Sequence, residues 1–336
     1  MEELIHSYLL TFPTIVLLLI IAASLWTVGK GADILVDEAV SLSVHWGVPK
    51  MVIGATIVSL GTTLPEAAVS VMAAVGGNPD LALGNAIGSI IADTGLIIGV
   101  AALIGNLPVD PMIIKRQGKL QYLACILLAV VSLPIFTNTG AGNISQLMGV
   151  GFLILLATYI YFSLKWAREE NGESTEEIQE ELTPVYLQIL KLLLGVALVI
   201  GSSKILIPAV EITAIRIGIP QGVIAATLVA FGTSLPELVT AITAVRKGHG
   251  ELAIGNIVGA DILNVLFVVG AAAAVTKGGL TVPVSFYKLQ IPTMLIIIFA
   301  FRHFTKGKDL TIDRKEGIFL GGMYFVYLIL NFTWLA

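Results

Sequence analysis

The chain has 336 residues; 56% are hydrophobic, only 12% are charged, and the formal net charge is −4. A soluble domain carries roughly 25% charged residues to solvate its surface, so the composition excludes a water-soluble globule and places the chain in a bilayer. The acidic balance, with no basic cluster interleaved with aromatics, excludes nucleic acid as a partner. The lone Cys125 excludes disulfides and multi-cysteine metal sites.

A membrane-spanning helix takes about 20 mainly apolar residues. In chain order, the apolar stretches predict ten spans: 9–41, 48–76, 80–105, 120–138, 144–166, 184–216, 220–246, 251–276, 286–303 and 316–335. Glu2, Glu3 and His6 precede the first stretch where a signal peptide would carry Lys or Arg, so span 1 reads as a retained helix. Spans 1 and 6 exceed a simple crossing, which implies steep tilt or an interfacial extension. Between spans 5 and 6, residues 167–183 form an acidic stretch too polar and too short to bury a core, and so read as a solvated linker.

The Lys and Arg residues test the count. Connections 1–2, 3–4, 5–6, 7–8 and 9–10 carry thirteen of them, including Lys115, Arg116 and Lys119 in connection 3–4; the alternate connections carry only Arg216, Lys277 and Lys288. Positive charge stays inside. The odd connections, among them the 167–183 linker, are therefore expected in the cytoplasm, with both termini outside the plasma membrane.

Residues 52–66 (VIGATIVSLGTTLPE) and 223–237 (VIAATLVAFGTSLPE) are identical at ten of fifteen positions, at an offset of 171. The same offset relates Gly84-Asn85 to Gly255-Asn256 and Gly47 to Gly218. The shared residues are mostly Gly, Thr, Pro, Glu and Asn, which chance similarity between apolar helices does not produce. Residues 1–166 and 184–336 thus read as two five-span repeats, with motifs at 52–93 and 223–264. Five is odd, so the second copy enters the membrane from the opposite side. The predicted fold is all-α and integral to the membrane: ten helices in two inverted five-helix repeats, a layout that places a binding site at midplane between the copies.

Glu66 and Glu237 fall mid-span, where a carboxylate costs at least ~2.5–3.5 kcal/mol. The basic residues inside spans, Lys30, Lys191 and Lys204, are not part of the repeated motif. A cation shared by the repeats accounts for the two glutamates better than ion pairing does. Pro65 and Pro236 leave the carbonyls of Gly61 and Gly232 without an amide partner and let each helix open. The available donors are then carbonyls, the hydroxyls of Thr62, Thr63, Thr233 and Ser234, and the two carboxylates. This all-oxygen set suits a hard cation such as Ca2+ and, lacking His and Cys, not zinc or copper.

In the following span, Asn85, Ser89 and Asp93 recur every fourth residue and share a helix face; their counterparts are Asn256, Ala260 and Asn264. Asp93 reads as a ligand or proton carrier. Helix–helix bonding and ion coordination both fit Asn85 and Asn256, and a pairing role and a site role both fit Asp261. The glycines of these spans, at four-residue spacing, read as packing positions. Asp33, Asp37, Glu38 and Glu211 read as residues near span ends or in an aqueous vestibule.

GTTLPE (61–66) and GTSLPE (232–237), each followed by a GN-x-x-G helix start, resemble the repeats of the sodium/calcium exchanger family, as found in its ten-helix prokaryotic members. That resemblance spans nearly the whole chain. It implies secondary active antiport of Ca2+ against Na+ by alternating access, with spans 1 and 6 sliding over a rigid core. It implies further that Glu66 and Glu237 hold Ca2+ assisted by Thr62 and Thr233, and that carbonyls near Ser59 and Ala230, with Ser89, serve Na+. It implies no cofactor, no enzymatic activity, and transported cations and lipid as the partners of a functional monomer. This chain departs from the prokaryotic pattern in the order Asp93 and Asn264, where those relatives carry Asn first and Asp second, and in Ala260, where they carry Ser. The residues themselves leave open a proton-coupled exchanger of Ca2+ or another divalent cation, and a cation channel. An intramembrane hydrolase using Thr63 or Ser234 is disfavoured, because no His lies in the motif spans to act as base.

Overall fold

The computed structural model describes residues 2–134, 141–170, 184–218, 232–307 and 309–334. In chain order the helices are α1 (Glu2–Leu10), α2 (Thr14–Trp46), α3 (Lys50–Thr62), α4 (Leu64–Val75), α5 (Pro79–Ile104), α6 (Pro111–Val131), α7 (Gln146–Glu170), α8 (Val185–Arg216), α9 (Leu235–Arg246), α10 (Gly250–Val275), α11 (Val284–Phe304) and α12 (Arg314–Trp334). Short strands β1 (Leu107–Pro108), β2 (Gly142–Ile144), β3 (Leu280–Val282) and β4 (Thr311–Ile312) lie in the connections.

Six of these helices are long and apolar enough to cross a membrane, and α3 with α4, bent by 45° where they meet, would make a seventh. The protein is thus an all-helical, multi-pass membrane protein. Helices α6 and α12, 21 residues each, stand at the fourth and tenth expected positions but outside that set. The first part of the seventh expected span, 220–231, lies outside the described residues.

Two expected boundaries need correction. Span 1 is interrupted: α1 ends at Leu10 and α2 starts after Pro13, and Arg216 donates to the carbonyls of Leu10 (2.9 Å) and Phe12 (2.7 Å) at the break. Span 4 begins nine residues before its expected start, because Asp110 caps α6 by accepting from the amides of Met112 and Ile113, with Pro111 in the first turn. Lys115, Arg116 and Lys119 therefore sit on the opening turns of a helix, not in a loop.

The motif helices occupy the centre. Of their most apolar stretches, 78% of α5 and 83% of α10 is buried, against 28% for α2. Helices α2 and α8 pack chiefly against each other, through Gly31 and Gly195, and turn Leu18, Leu19, Leu25, Leu190 and Leu193 outward. Three of the acids expected near span ends are paired on this layer: Asp33 and Asp37 with Lys247 (3.4 and 2.7 Å), and Glu38 with Lys191 (3.2 Å).

Glycine sets the central packing. Helix α3 contains a π-helical turn at Gly54–Val58, which leaves the Ala55 carbonyl to accept from Tyr159 Oη (2.7 Å). Against this turn lie Gly255 and Gly259 of α10: a Cβ on the first would strike the Met51 carbonyl, and one on the second the Ala55 carbonyl and Ser59 Oγ. The close approach of α3 to α10 thus needs hydrogen at both positions.

Gly255→Ala is expected to destabilise the protein by about 2 kcal/mol or more, since backbone cannot yield as a side chain can. Gly29→Ala, with no described atom within 4 Å of its Cβ, should change little. Thermal unfolding in detergent measures both.

Candidate cation site

The two glutamates are set by the same local device. At Thr63 the first motif helix ends (φ −81°, ψ −3°), and α4 begins with Leu64, Pro65 and Glu66; at Ser234 (φ −82°, ψ 7°) α9 begins with Leu235, Pro236 and Glu237. The prolines thus stand in the first turn of a new helix, where a missing N–H costs nothing, and not in a helix interior as the sequence suggested. Each carboxylate belongs to a helix first turn, where the backbone dipole favours negative charge.

Two hydrogen bonds cross between the halves of the chain, related by the 171-residue offset. Thr62 Oγ1 donates to Asn256 Oδ1 (3.4 Å), and Thr233 Oγ1 donates to Asn85 Oδ1 (3.1 Å). Each motif hydroxyl therefore meets the amide of the other half. The amide nitrogens differ. Asn85 Nδ2 donates to the Glu66 carbonyl (3.2 Å) and to Ser70 Oγ (3.0 Å), which itself donates to the Ala82 carbonyl. Asn256 Nδ2 is buried without a partner among the described residues, and Ala241 occupies the place corresponding to Ser70.

Glu66, Glu237, Thr62, Thr63, Ser234, Ser59, Ser89, Asp93, Asn256 and Asn264 are all buried; Asn85 and Thr233 are half-buried, and Ala230 lies outside the described residues. The Thr233 hydroxyl lies beside Glu66, and those of Thr62 and Thr63 beside Glu237; Asp93 is within electrostatic reach of both glutamates, with the Ser234 hydroxyl toward it. None of these contacts saturates the carboxylates. Both oxygens of Glu66, Oε2 of Glu237, Oδ1 of Asp93, Oδ1 of Asn264 and the hydroxyls of Thr63 and Ser234 are buried with no hydrogen-bond partner among the described residues. The Ser59 carbonyl already accepts from the Thr63 amide (2.9 Å) and from Thr62 Oγ1 (3.4 Å).

Buried carboxylates left this way are unstable without a positive partner, and no ion pair among the described residues includes them. Nor do three acidic, His or Cys side chains among the described residues converge closely enough to hold a metal on their own. Hydroxyl, amide and carbonyl oxygens must complete any shell, a donor set for a hard cation.

Sequence reasoning missed Ser70, one helical turn after Glu66. It also missed Thr94 and Gln121, which both donate to Asp261 Oδ2 (2.5 and 2.6 Å). Gln121, an uncharged polar residue inside the expected fourth span, was the available signal.

Asn85→Ala is expected to destabilise the fold by about 1–2 kcal/mol more than Asn256→Ala, because it breaks three hydrogen bonds where the second breaks one. Paired thermal unfolding curves measure the difference.

A family model described as sodium/calcium exchanger protein matches residues 16–165 and 187–333. The inner membrane protein YrbG of Escherichia coli (strain K12) is 33% identical over 312 residues, covering 91% of this chain and 93% of YrbG. The sodium/calcium exchanger MaX1 of Methanosarcina acetivorans is 29% identical over 339 residues, covering 90% of this chain and 95% of MaX1. Among solved structures, the sodium-calcium exchanger NCX_Mj soaked with 10 mM Na+ and zero Ca2+ superposes with a TM-score of 0.80 at 27% identity, covering 94% of this chain and 99% of that one. Paired glutamates in recurring helix starts and a match along almost the entire length lead to one assignment: the chain belongs to the sodium/calcium exchanger family.

Proposed function

We propose that this protein is a secondary antiporter that exchanges Ca2+ for Na+ across the plasma membrane by alternating access. The observation that carries the reading is the pair Glu66 and Glu237, one from each half of the chain, buried with unpartnered carboxylate oxygens beside motif hydroxyls. Two such charges are neutralised by one Ca2+ or by more than one Na+. A site left charged is expensive to move through the bilayer, so only the loaded site crosses, and exchange follows in place of leak.

In this reading the ligands are Glu66, Glu237, Thr62, Thr63, Thr233, Ser234, Ser89 and Asp93, with Asn264, Asn85, Asn256 and the carbonyls near Ser59 and Ala230. The family membership and the names of MaX1 and NCX_Mj support Na+ as counter-ion. The protein works as a monomer with no cofactor, and its ten spans form two inverted repeats, with both termini outside and 167–183 in the cytoplasm. The strand pairing supports the inversion. β1, in connection 3–4, pairs antiparallel with β4 in connection 9–10, and β2, in connection 4–5, with β3 in connection 8–9; an inverted ten-span layout puts each of these pairs on one side. The mutual packing of α2 and α8 supports their motion as one layer.

A proton-coupled exchanger is the second reading, favoured by Ala260, which is fully buried and supplies no hydroxyl opposite Ser89. Counter-ion substitution in sealed proteoliposomes separates the two. An outward Na+ gradient is expected to drive Ca2+ uptake, and a pH gradient without Na+ is not; the reverse result establishes proton coupling. Current carried by Ca2+ with no exchange partner would instead identify a channel. Glu66→Gln or Glu237→Gln should each lower uptake at least ~10-fold, as expected for losing a charge-assisted contact. Unchanged uptake in either variant would place the site elsewhere.

A further inference from the structure

One buried acid takes no part in the exchange site described above. Asp261, on α10, is fully buried; its Oδ2 accepts from Thr94 Oγ1 (2.5 Å) and Gln121 Nε2 (2.6 Å), while its Oδ1 has no partner among the described residues. Thr94 follows Asp93 directly, within the π-helical turn Ala92–Ile97 of α5, and Gln121 lies on α6. Asp261 is therefore the point at which three helices, from both halves of the chain, are tied beside the turn that presents Asp93.

The 171-residue offset supplies an internal control. The second half has the same kind of turn, Asn264–Val269 in α10, presenting Asn264 where the first presents Asp93. The positions corresponding to Asp261, Thr94 and Gln121 are Ile90, Val265 and Pro292. All three polar residues are absent there together. The tether accompanies the turn that bears a carboxylate and is missing from the turn that bears an amide. A π turn lacks the regular amide-to-carbonyl register that stiffens an α-helix, so the charge it carries gains most from an external fixed point.

We propose that Asp261 is a positioning residue for Asp93, which it holds in the exchange site through Thr94 while anchoring the turn to α6 through Gln121. The proposal rests on the reading of Asp93 as a ligand of the exchanged cations. Asp261 does not touch the cation. It acts on the geometry of the third carboxylate of the site, leaving Glu66 and Glu237 in place. Partners of this kind, one layer out from a metal ligand, typically alter affinity 10–100-fold when removed.

The test is Na+-dependent Ca2+ exchange in proteoliposomes, with half-saturation by Na+, half-saturation by Ca2+ and maximal rate measured separately. Asp261→Ala is expected to raise the Na+ half-saturation about tenfold or more, with Ca2+ half-saturation and maximal rate within about threefold of wild type. Both donors converge on one oxygen, so an asparagine carbonyl can accept both, and Asp261→Asn should restore Na+ half-saturation. Thr94→Val, which removes one donor with little change of shape, should reproduce the Asp261→Ala shift even where that variant folds poorly, and Thr94→Ser should not. A wild-type Na+ dependence in Thr94→Val overturns the proposal, as does an equal shift in Asp261→Asn, which would assign the effect to charge and not to hydrogen bonding. Asp93→Asn serves as reference. If it too leaves Na+ dependence unchanged, the ligand role of Asp93 fails along with the tether; if it shifts Na+ dependence and the tether variants do not, the tether alone fails.

Discussion

Burying a carboxylate without a counter-charge is among the most expensive acts a membrane protein can perform, and this chain does so at Glu66, Glu237 and Asp93. The basic residues of the described ion pairs lie elsewhere, at Lys30, Lys50, Lys191 and Lys247. Among the described residues, no ion pair includes Glu66, Glu237 or Asp93. In the proposed function, the helix starts that present the glutamates, the hydroxyls beside them and the amides behind those hydroxyls surround a charge that comes from solution. In that function ion binding is both a condition for a stable core and the condition for movement.

The geometry depends on how closely two helices can approach. Gly255 and Gly259 bring the backbone of α10 against the π turn of α3, and that contact places Asn256 within reach of Thr62. The corresponding pair, Thr233 and Asn85, binds more firmly because Ser70 and the Glu66 carbonyl fix the amide. The two halves use the same parts with unequal reinforcement, and the inequality extends to Asp93 and its uncharged counterpart Asn264. The arrangement is pseudo-symmetric in position and asymmetric in charge, so in the proposed function the two halves do not offer an ion the same ligands.

Much of this was legible in the sequence because membrane burial makes polar residues conspicuous. Glu66, Glu237, their threonines and the 85–89–93 stripe could be picked out against an apolar background and matched by an offset. The start of α6 was less legible: Lys115, Arg116 and Lys119 looked like a loop to hydropathy, whereas Asp110 and Pro111 are a capping signal that outweighs it. The role of Pro65 and Pro236 was misjudged for a related reason, since a proline in an apolar run looks interior until a helix boundary is placed just before it. The Asp261 tether was illegible as a unit: its members come from α5, α6 and α10, and only the fold brings them together.

The central claim is that the core carries excess negative charge that bound cations neutralise. Thermal unfolding in detergent as a function of Ca2+, for the wild type and for a variant with both Glu66→Gln and Glu237→Gln, tests it most directly. A ligand that binds only the folded state raises stability with its concentration, so the wild-type midpoint should climb with Ca2+. The double variant should be more stable than wild type in cation-free buffer and indifferent to added Ca2+. A double variant that gains nothing without cations, or that is stabilised by Ca2+ as much as wild type is, would contradict the account.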